Sequence, residues 1–483
     1  MNKSIKKNFM YNLLFQIVTL LMPLITVPYV SRILGKEGIG ICSYTLSITQ
    51  YFMILGTLGI SIYGSREIAY VRDDKEKMSK TFWSITFLKA ITASISLIVY
   101  IIAFAIKKEY CDIYLIQAIN IIAVIIDISW LYAGLEKFEK IVIRNLIVKI
   151  VGVSCIFIFV KSYEDLYKYI SINAVMTVLG NLVMWMYLPA TVSKIKIKFS
   201  DIIEHFIPVL QLFIPQIATQ IYLVLDKTML GILSNIGEVG LYEQSEKIVK
   251  LALALVTSLG IVMLPRMSNT FISGDNEKMN LYLNKCLQWV CYISIPMALG
   301  LAAISNEFVP WFFGKDFKEV SYLMIILTPI LFFIAISNVL GIQYLLPSNR
   351  SNEFTASVTI GAIINVILNF ILIPKYKAFG TCIATVISEF VVTSVQYVFL
   401  RKNIKNKILL KCMTKFLIAA IIMFIVVRFI GINMGAKIIT TLVQCVVGVV
   451  IYEVILFMLK EEINQIIINN LITKFRIRKL LKL

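Results

Sequence analysis

Asp226, Lys227, Glu246, Lys247 and Lys250 are five ionisable groups set in two adjacent, otherwise apolar stretches of the chain. Ammonium groups at such positions can receive an anion such as a phosphate, with carboxylates to orient it or take up protons. The same residues can also hold one another, as Asp226 with Lys250 or Glu246 with Lys250. Polar residues recur around these groups at about 100° per residue, which places them on single helix faces. Asn12, Gln16, Thr19 and Thr26 share one side; so do Ser43, Ser47 and Gln50; so do Gln216, Gln220 and Lys227; and so do Glu243, Lys247, Lys250 and Thr257. Polar side chains are costly in lipid, so these rows should face water or protein. The expectation is a hydrophilic, substrate-binding cavity lined by Gln16, Thr19, Ser47, Gln50, Gln216, Gln220, Asp226, Lys227, Glu246, Lys247 and Lys250. No catalytic group, metal-ligand spacing or cofactor motif accompanies them, so binding without covalent chemistry is expected, and not an enzyme.

The elements that must position these groups are membrane helices. Mean hydropathy is +0.84 and 59% of the residues are hydrophobic. Apolar stretches recur near 9–31, 38–63, 81–106, 113–134, 138–160, 165–188, 207–233, 238–264, 283–304, 318–346, 354–374, 378–400, 408–430 and 436–459. A helix needs about 20 apolar residues to cross a hydrocarbon core of about 30 Å. The sequence therefore predicts an all-α polytopic membrane protein with about 14 transmembrane helices, and connectors too short for a soluble domain. The net charge of +19 needs no nucleic acid. With the N-terminus inside, the inner segments carry 29 Lys and Arg and the outer ones 12, the bias that sets orientation. Both termini are expected in the cytoplasm, and the first apolar stretch is too long for a signal peptide. The eight cysteines show no CxxC spacing and behave as small hydrophobes.

Spans 1–2 resemble spans 7–8. Pro23, Arg32, Gly35, Gly40 and Tyr44 correspond to Pro215, Lys227, Gly231, Gly240 and Tyr242. Six spans separate the copies, so the repeats run parallel and imply two pseudo-symmetric six-helix lobes. The expected organisation is an N-terminal lobe (1–190), a C-terminal lobe (200–402), two extra helices (405–460) and a basic amphipathic tail (461–483) on the inner leaflet. Transporters of this design bind near the midplane and alternate access by rocking their lobes. The prolines of spans 1 and 7 interrupt their helices where bending would be useful. Lys89, Asp127, Lys149, Glu389, Lys415 and Glu453 read as buried pairs or snorkelling ends. Asp73 and Asp74 read as a solvated face, and His205, the sole histidine, has no second ligand nearby.

The stretches PLITVPYVSRILGKEGIGICSY (23–44), QIYLVLDKTMLGILSNIGEVGLYEQSEKI (220–248), MLPRMS (263–268) and INVILNFILIPKYKAFGTCIATVISE (364–389) resemble the Wzx-type polysaccharide transporters. These are lipid-linked oligosaccharide flippases of the multidrug/oligosaccharidyl-lipid/polysaccharide exporter superfamily, and the resemblance spans nearly the whole chain. It implies fourteen helices, a cationic cavity and export of undecaprenyl-pyrophosphate-linked sugars across a bacterial cytoplasmic membrane by alternating access. The products would be capsule, O-antigen, other cell-surface polysaccharide or teichoic acid. The implied partners are the undecaprenyl-linked glycolipid, membrane lipids and polysaccharide polymerase machinery, with the chain acting as a monomer. Two relatives are alternatives. Lipid II flippases carry arginines in the middle of span 1, where Leu21 to Thr26 here has no charge. Multidrug and toxin extrusion transporters use an Asp in span 1, and no Asp or Glu occurs between residues 9 and 31.

Overall fold

The computed structural model describes residues 3–104 and 109–466 along the backbone. Side chains of residues 3–17, 20, 214–223, 259, 261 and 262 are not part of that description. Asn12, Gln16, Gln216, Gln220 and the tail beyond residue 466 therefore lie outside the described residues. In lipid every backbone group must be paired within its own segment, which leaves helix as the form for these apolar stretches. The helices are α1 (Lys3–Thr57), α2 (Ile60–Val71), α3 (Lys75–Phe104), α4 (Cys111–Ile126), α5 (Ser129–Gly134), α6 (Phe138–Phe159), α7 (Leu166–Met186), α8 (Phe199–Ile203), α9 (Phe206–Leu233) and α10 (Ile236–Ile272). They continue as α11 (Asn276–Phe312), α12 (Lys318–Leu327), α13 (Ile330–Ser337), α14 (Ser351–Leu400), α15 (Asn406–Met434) and α16 (Ile438–Met458). A π-helical turn, Asn338–Leu345, extends α13. The chain forms two compact units, residues 1–240 and 241–483.

Two helices are too long for one crossing. At about 1.5 Å per residue, α1 with 55 residues and α14 with 50 far exceed the hydrocarbon thickness. Each contains one residue outside helical geometry, Gly35 (φ 63°) and Lys377 (φ 52°). At Lys377 the chain folds back: Ser357 meets Gln396, Gly361 meets Val392, and Gly380 lies against Leu372. For α1 the directions of its neighbours give the same answer. Its first half runs parallel to α6, since Thr19 meets Lys149 and Tyr29 meets Val160. Its second half runs antiparallel to α3, through Thr49 with Tyr100, Phe52 with Ser96 and Gly56 with Thr92. Helix α3 opposes α4 (Lys89 with Asp127, Tyr100 with Tyr114), and α4 runs parallel to α7 (Ala123 with Asn181, Ile126 with Trp185). Helix α7 opposes α6, through Asn181 with Arg144 and Met176 with Gly152. The two halves of α1 are therefore antiparallel, and Gly35 is the turn.

The second unit alternates in the same way. Helix α11 runs parallel to α15 (Tyr292 with Phe416, Glu307 with Arg428) and antiparallel to α16 (Glu307 with Gln444, Tyr292 with Tyr452). Among the described residues nine stretches are long and apolar enough to cross a membrane, and two bent pairs raise this to eleven. The reversals at Gly35 and Lys377 divide two of these stretches. The all-α polytopic architecture stands.

Two expected spans are interrupted. Stretch 38–63 ends as α1 at Thr57, turns at Leu58 (φ 47°) and Gly59 (φ 74°), and resumes as α2 to Val71. Stretch 113–134 breaks at Asp127, whose ψ of 116° is extended. That break frees carbonyls inside the bilayer, and three side chains take them. Asn181 donates to Ala123 O, Trp185 Nε1 to Ile126 O, and Lys89 Nζ to Asp127 O at 2.8 Å. The Asp127 carboxylate accepts the Ser129 amide, which starts α5, and pairs with Lys89 at 3.4 Å. Lys89 and Asp127 are thus a buried pair, as one of their two expected forms.

Candidate functional site

In the first unit, α9 lies against the second half of α1. Gly231 makes this possible: a Cβ there would fall 2.3 Å from the Tyr44 ring. One turn away, Thr228 Oγ1 stands 2.9 Å from Ser47 Oγ and receives the Tyr51 hydroxyl at 3.1 Å. Asp226 and Lys227 immediately precede Thr228; Asp226 is buried and Lys227 half-buried. Gln50 is half-buried on α1 between Ser47 and Tyr51. The structure therefore brings Ser47, Gln50, Asp226 and Lys227 to one helix pair. Thr19 is elsewhere, accepting Lys149 Nζ from α6 at 3.0 Å.

The hub of this group, Thr228, escapes a reading of the polar stripes because it is one threonine beside two charges. The crossing above it is held by glycines. A Cβ on Gly40 would fall 1.9 Å from Ile236 O, and one on Gly240 would fall 1.9 Å from Lys36 O. Residues 36 and 40 thus meet 240 and 236 reciprocally.

In the second unit, α10 carries Glu243, Glu246, Lys247 and Lys250. Lys247 Nζ lies 3.2 Å from Glu243, and Lys250 Nζ lies 2.7 Å from Glu246. Both pairs follow i,i+4 spacing with the carboxylate first, the favourable order on a helix. The carboxylates are inner: side-chain exposure is 14% and 10% for Glu243 and Glu246, against 34% and 43% for Lys247 and Lys250. The outermost groups of this face are ammoniums, each a mobile point charge suited to phosphate oxygens.

Further ionisable groups form separate clusters. Arg428 Nη1 donates to both Glu307 oxygens at 2.7 and 2.8 Å, with Gln444 beside them. The stripes do not reveal this pair; its signal in the sequence is an arginine alone in the apolar run of α15. Glu453 accepts from Tyr292 and Asn464, and Lys415 donates to Lys460 O.

His205, between α8 and α9, has Nδ1 2.7 Å from the Tyr63 hydroxyl, and burial pushes its pKa below the usual 6.5. Glu204, Glu67 and Asp201 act in the opposite direction. A depressed histidine adds stability that is complete above pH 6.5 and is lost as pH falls through the lower folded value. Because this is the sole histidine, one imidazole resonance in an NMR titration should show a midpoint below 6.5, and Tyr63→Phe should move it.

Comparison with known proteins adds the following. The sequence pattern of a family described as "Polysaccharide biosynthesis protein" matches residues 5–271. A protein of Escherichia coli (strain K12) named "Putative O-antigen transporter" is 25% identical over 409 residues, covering 83% of this chain and 97% of its own. The lipid II flippase MurJ of Bacillus subtilis (strain 168) is 23% identical over 190 residues, 38% of this chain and 35% of its own. Among solved structures, a lipid II flippase MurJ in an inward closed conformation superposes with a TM-score of 0.73 at 19% identity, over 93% of this chain and 97% of that one. An inward-facing multidrug resistance MATE family transporter gives 0.62 at 14% identity, over 83% and 99%. These structural likenesses concern the fold.

Proposed function

This chain belongs to the polysaccharide biosynthesis protein family, and we propose that it flips lipid-linked oligosaccharides, carried on undecaprenyl pyrophosphate, across a bacterial cytoplasmic membrane. The product is the unchanged glycolipid on the opposite leaflet, ready for a polymerase. In this reading six-helix lobes 1–190 and 200–402, followed by helices 405–460, alternate access to the substrate, Lys227 gives positive potential to the α1–α9 face, and Lys247 and Lys250 give it to the α10 face. Both termini lie in the cytoplasm in this reading, which the Lys and Arg bias supports. The observation that supports the proposal is the α10 face, where a buried carboxylate, Glu246, and a half-buried one, Glu243, hold two lysines with their ammoniums outermost. The ammoniums stand at the outer end of each pair, within reach of an anion. A diphosphate arriving there replaces water around each ammonium, and a low-dielectric surrounding strengthens that contact.

Lys250→Gln tests the site. One charge-assisted contact is worth about 1.5–3 kcal/mol, so flipping of a lipid-linked oligosaccharide in reconstituted vesicles should fall about tenfold or more. Lys250→Gln/Glu246→Gln removes both charges and should leave abundant protein that is still slow. Full flipping by the double variant would make the pair structural and the site reading wrong. A shortened or extended glycan recovered from the vesicles would make the chain an enzyme and overturn the function.

A further inference from the structure

Helix α6 starts at the end of the first unit that the proposed orientation places in the cytoplasm. Lys137 caps it, and Lys140 and Arg144 follow within its first two turns. Lys140 Nζ sits in the corner between two tyrosine rings, 5.0 Å from the Tyr132 centroid and 4.5 Å from the Tyr187 centroid. The rings cross at 79°, and the Tyr132 hydroxyl is tied to Met184 O. The ammonium is thus held in place, and among the described residues no carboxylate or carbonyl bonds it. One turn on, Arg144 Nη1 donates to Asn181 Oδ1 at 2.6 Å. Nη2 meets no acceptor among the described residues, and Nε is buried without one. The Asp127 carboxylate on α4 is taken by Lys89 and by the Ser129 amide, and at about 100° per residue Glu139 falls on another side of α6.

The same helical geometry puts Lys140 and Arg144 beside lipid. Val148 and Gly152 face α7, through Gly180 and Met176, whereas Ile143 and Ile147 are exposed. At about 100° per residue the two cations fall between those rows, on the seam between α6 and α7. We infer that this seam binds the headgroup of an anionic glycerophospholipid, such as phosphatidylglycerol, from the cytoplasmic leaflet. The phosphodiester takes Lys140 and the free edge of Arg144, whose Nε and Nη2 form a fork matched to two oxygens. Exposed Lys137 adds attraction at the rim, and the acyl chains run along Ile143 and Ile147. Basic pockets between membrane helices on the cytoplasmic side suit such headgroups. A buried donor left unpaired is costly, and the lipid supplies the acceptor that Arg144 lacks. A zwitterionic lipid brings its own cation towards Lys137 and Lys140 and is disfavoured. The inference does not depend on the flipping activity.

Native mass spectrometry of the purified full chain, titrated with phosphatidylglycerol or phosphatidylcholine of identical acyl chains, tests this. The anionic lipid should bind about tenfold more tightly or better. Lys140→Gln leaves the Arg144–Asn181 bond in place and should lower that affinity about tenfold, whereas Lys140→Arg keeps the charge against the rings and should retain it. Lys137→Gln changes an exposed side chain and should weaken binding about threefold. Lys196→Gln, at an exposed position in the connector after α7, should change nothing. A loss there equal to that of Lys140→Gln would mean diffuse attraction to a basic surface, and the inference fails. It fails also if the native chain does not distinguish the two lipids, or if phosphatidylglycerol binds unchanged in both Lys140→Gln and Lys137→Gln. Neither undecaprenyl pyrophosphate nor inorganic phosphate at equal concentration should displace phosphatidylglycerol. Displacement by the first would make the seam an entry for the flipped substrate, and by the second a site for free phosphate; either overturns the assignment.

Discussion

Gly40→Leu and Gly240→Leu are each expected to remove most folded protein from the membrane. The atoms in the way are backbone carbonyls, Ile236 O for one and Lys36 O for the other, each 1.9 Å from the site of the new Cβ. A side chain can rotate away from an intruder, whereas a helix backbone must move as a body. Overpacking a well-filled core costs about 1–3 kcal/mol and occasionally more, and a contact with backbone belongs at the upper end. Domains are stable by only about 5–15 kcal/mol. Fluorescence-detected size-exclusion chromatography of tagged protein would measure the loss. Gly300→Ala is the control, because its Cβ would meet Met423 Cε at an ordinary 3.5 Å, and it should be abundant. Native yields of both leucine variants would mean that the start of α10 does not cross α1 at these glycines.

Lys89→Met should cost about 3–5 kcal/mol, the usual penalty for removing one partner of a buried pair. Lys89 is 1% exposed, and its ammonium is shared between the Asp127 carboxylate and the Asp127 carbonyl. Without it both oxygens lose their donor where α4 breaks off. Lys89→Met/Asp127→Asn removes the stranded charge and should recover part of the loss, but not all, since the carbonyl stays unpaired. Melting temperatures in one detergent would read both effects. A single variant as stable as the native chain would show that the break in α4 is not supported by Lys89.

The positions of the membrane helices were legible because hydropathy alone sets them, and the fourteen apolar stretches map onto the helices in order. Their ends and interruptions were less so. Nothing in an apolar run announces that Asp127 stops a helix and restarts it, because the break depends on Lys89, Asn181 and Trp185 arriving from other helices. Nor does composition mark Lys377 as a turn, since a non-glycine residue at φ 52° is uncommon. The charged cluster of the candidate site was visible as charges in an apolar setting. Its Glu246–Lys250 partnership was legible as i,i+4 spacing, and the exposure of its members was not, because that depends on what packs against α10. Thr228 and the Glu307–Arg428 pair took their meaning from long-range contacts with Ser47, Tyr51 and Gln444, at separations that periodicity does not reach.

The turns at Gly35 and Lys377 bear on biogenesis. Each joins two apolar helices through a single non-helical residue, so there is no loop for the insertion machinery to thread across the bilayer by itself. Charges cluster at both turns: Arg32, Lys36 and Glu37 at the first, Lys375 and Lys377 at the second. These charges stand at helix ends and not at helix centres, so neither helix has to carry them in its apolar middle. A turn of one residue also leaves the second helix no placement of its own: wherever the first is set, the second follows beside it in the opposite direction. Each pair is in this sense a single unit of insertion.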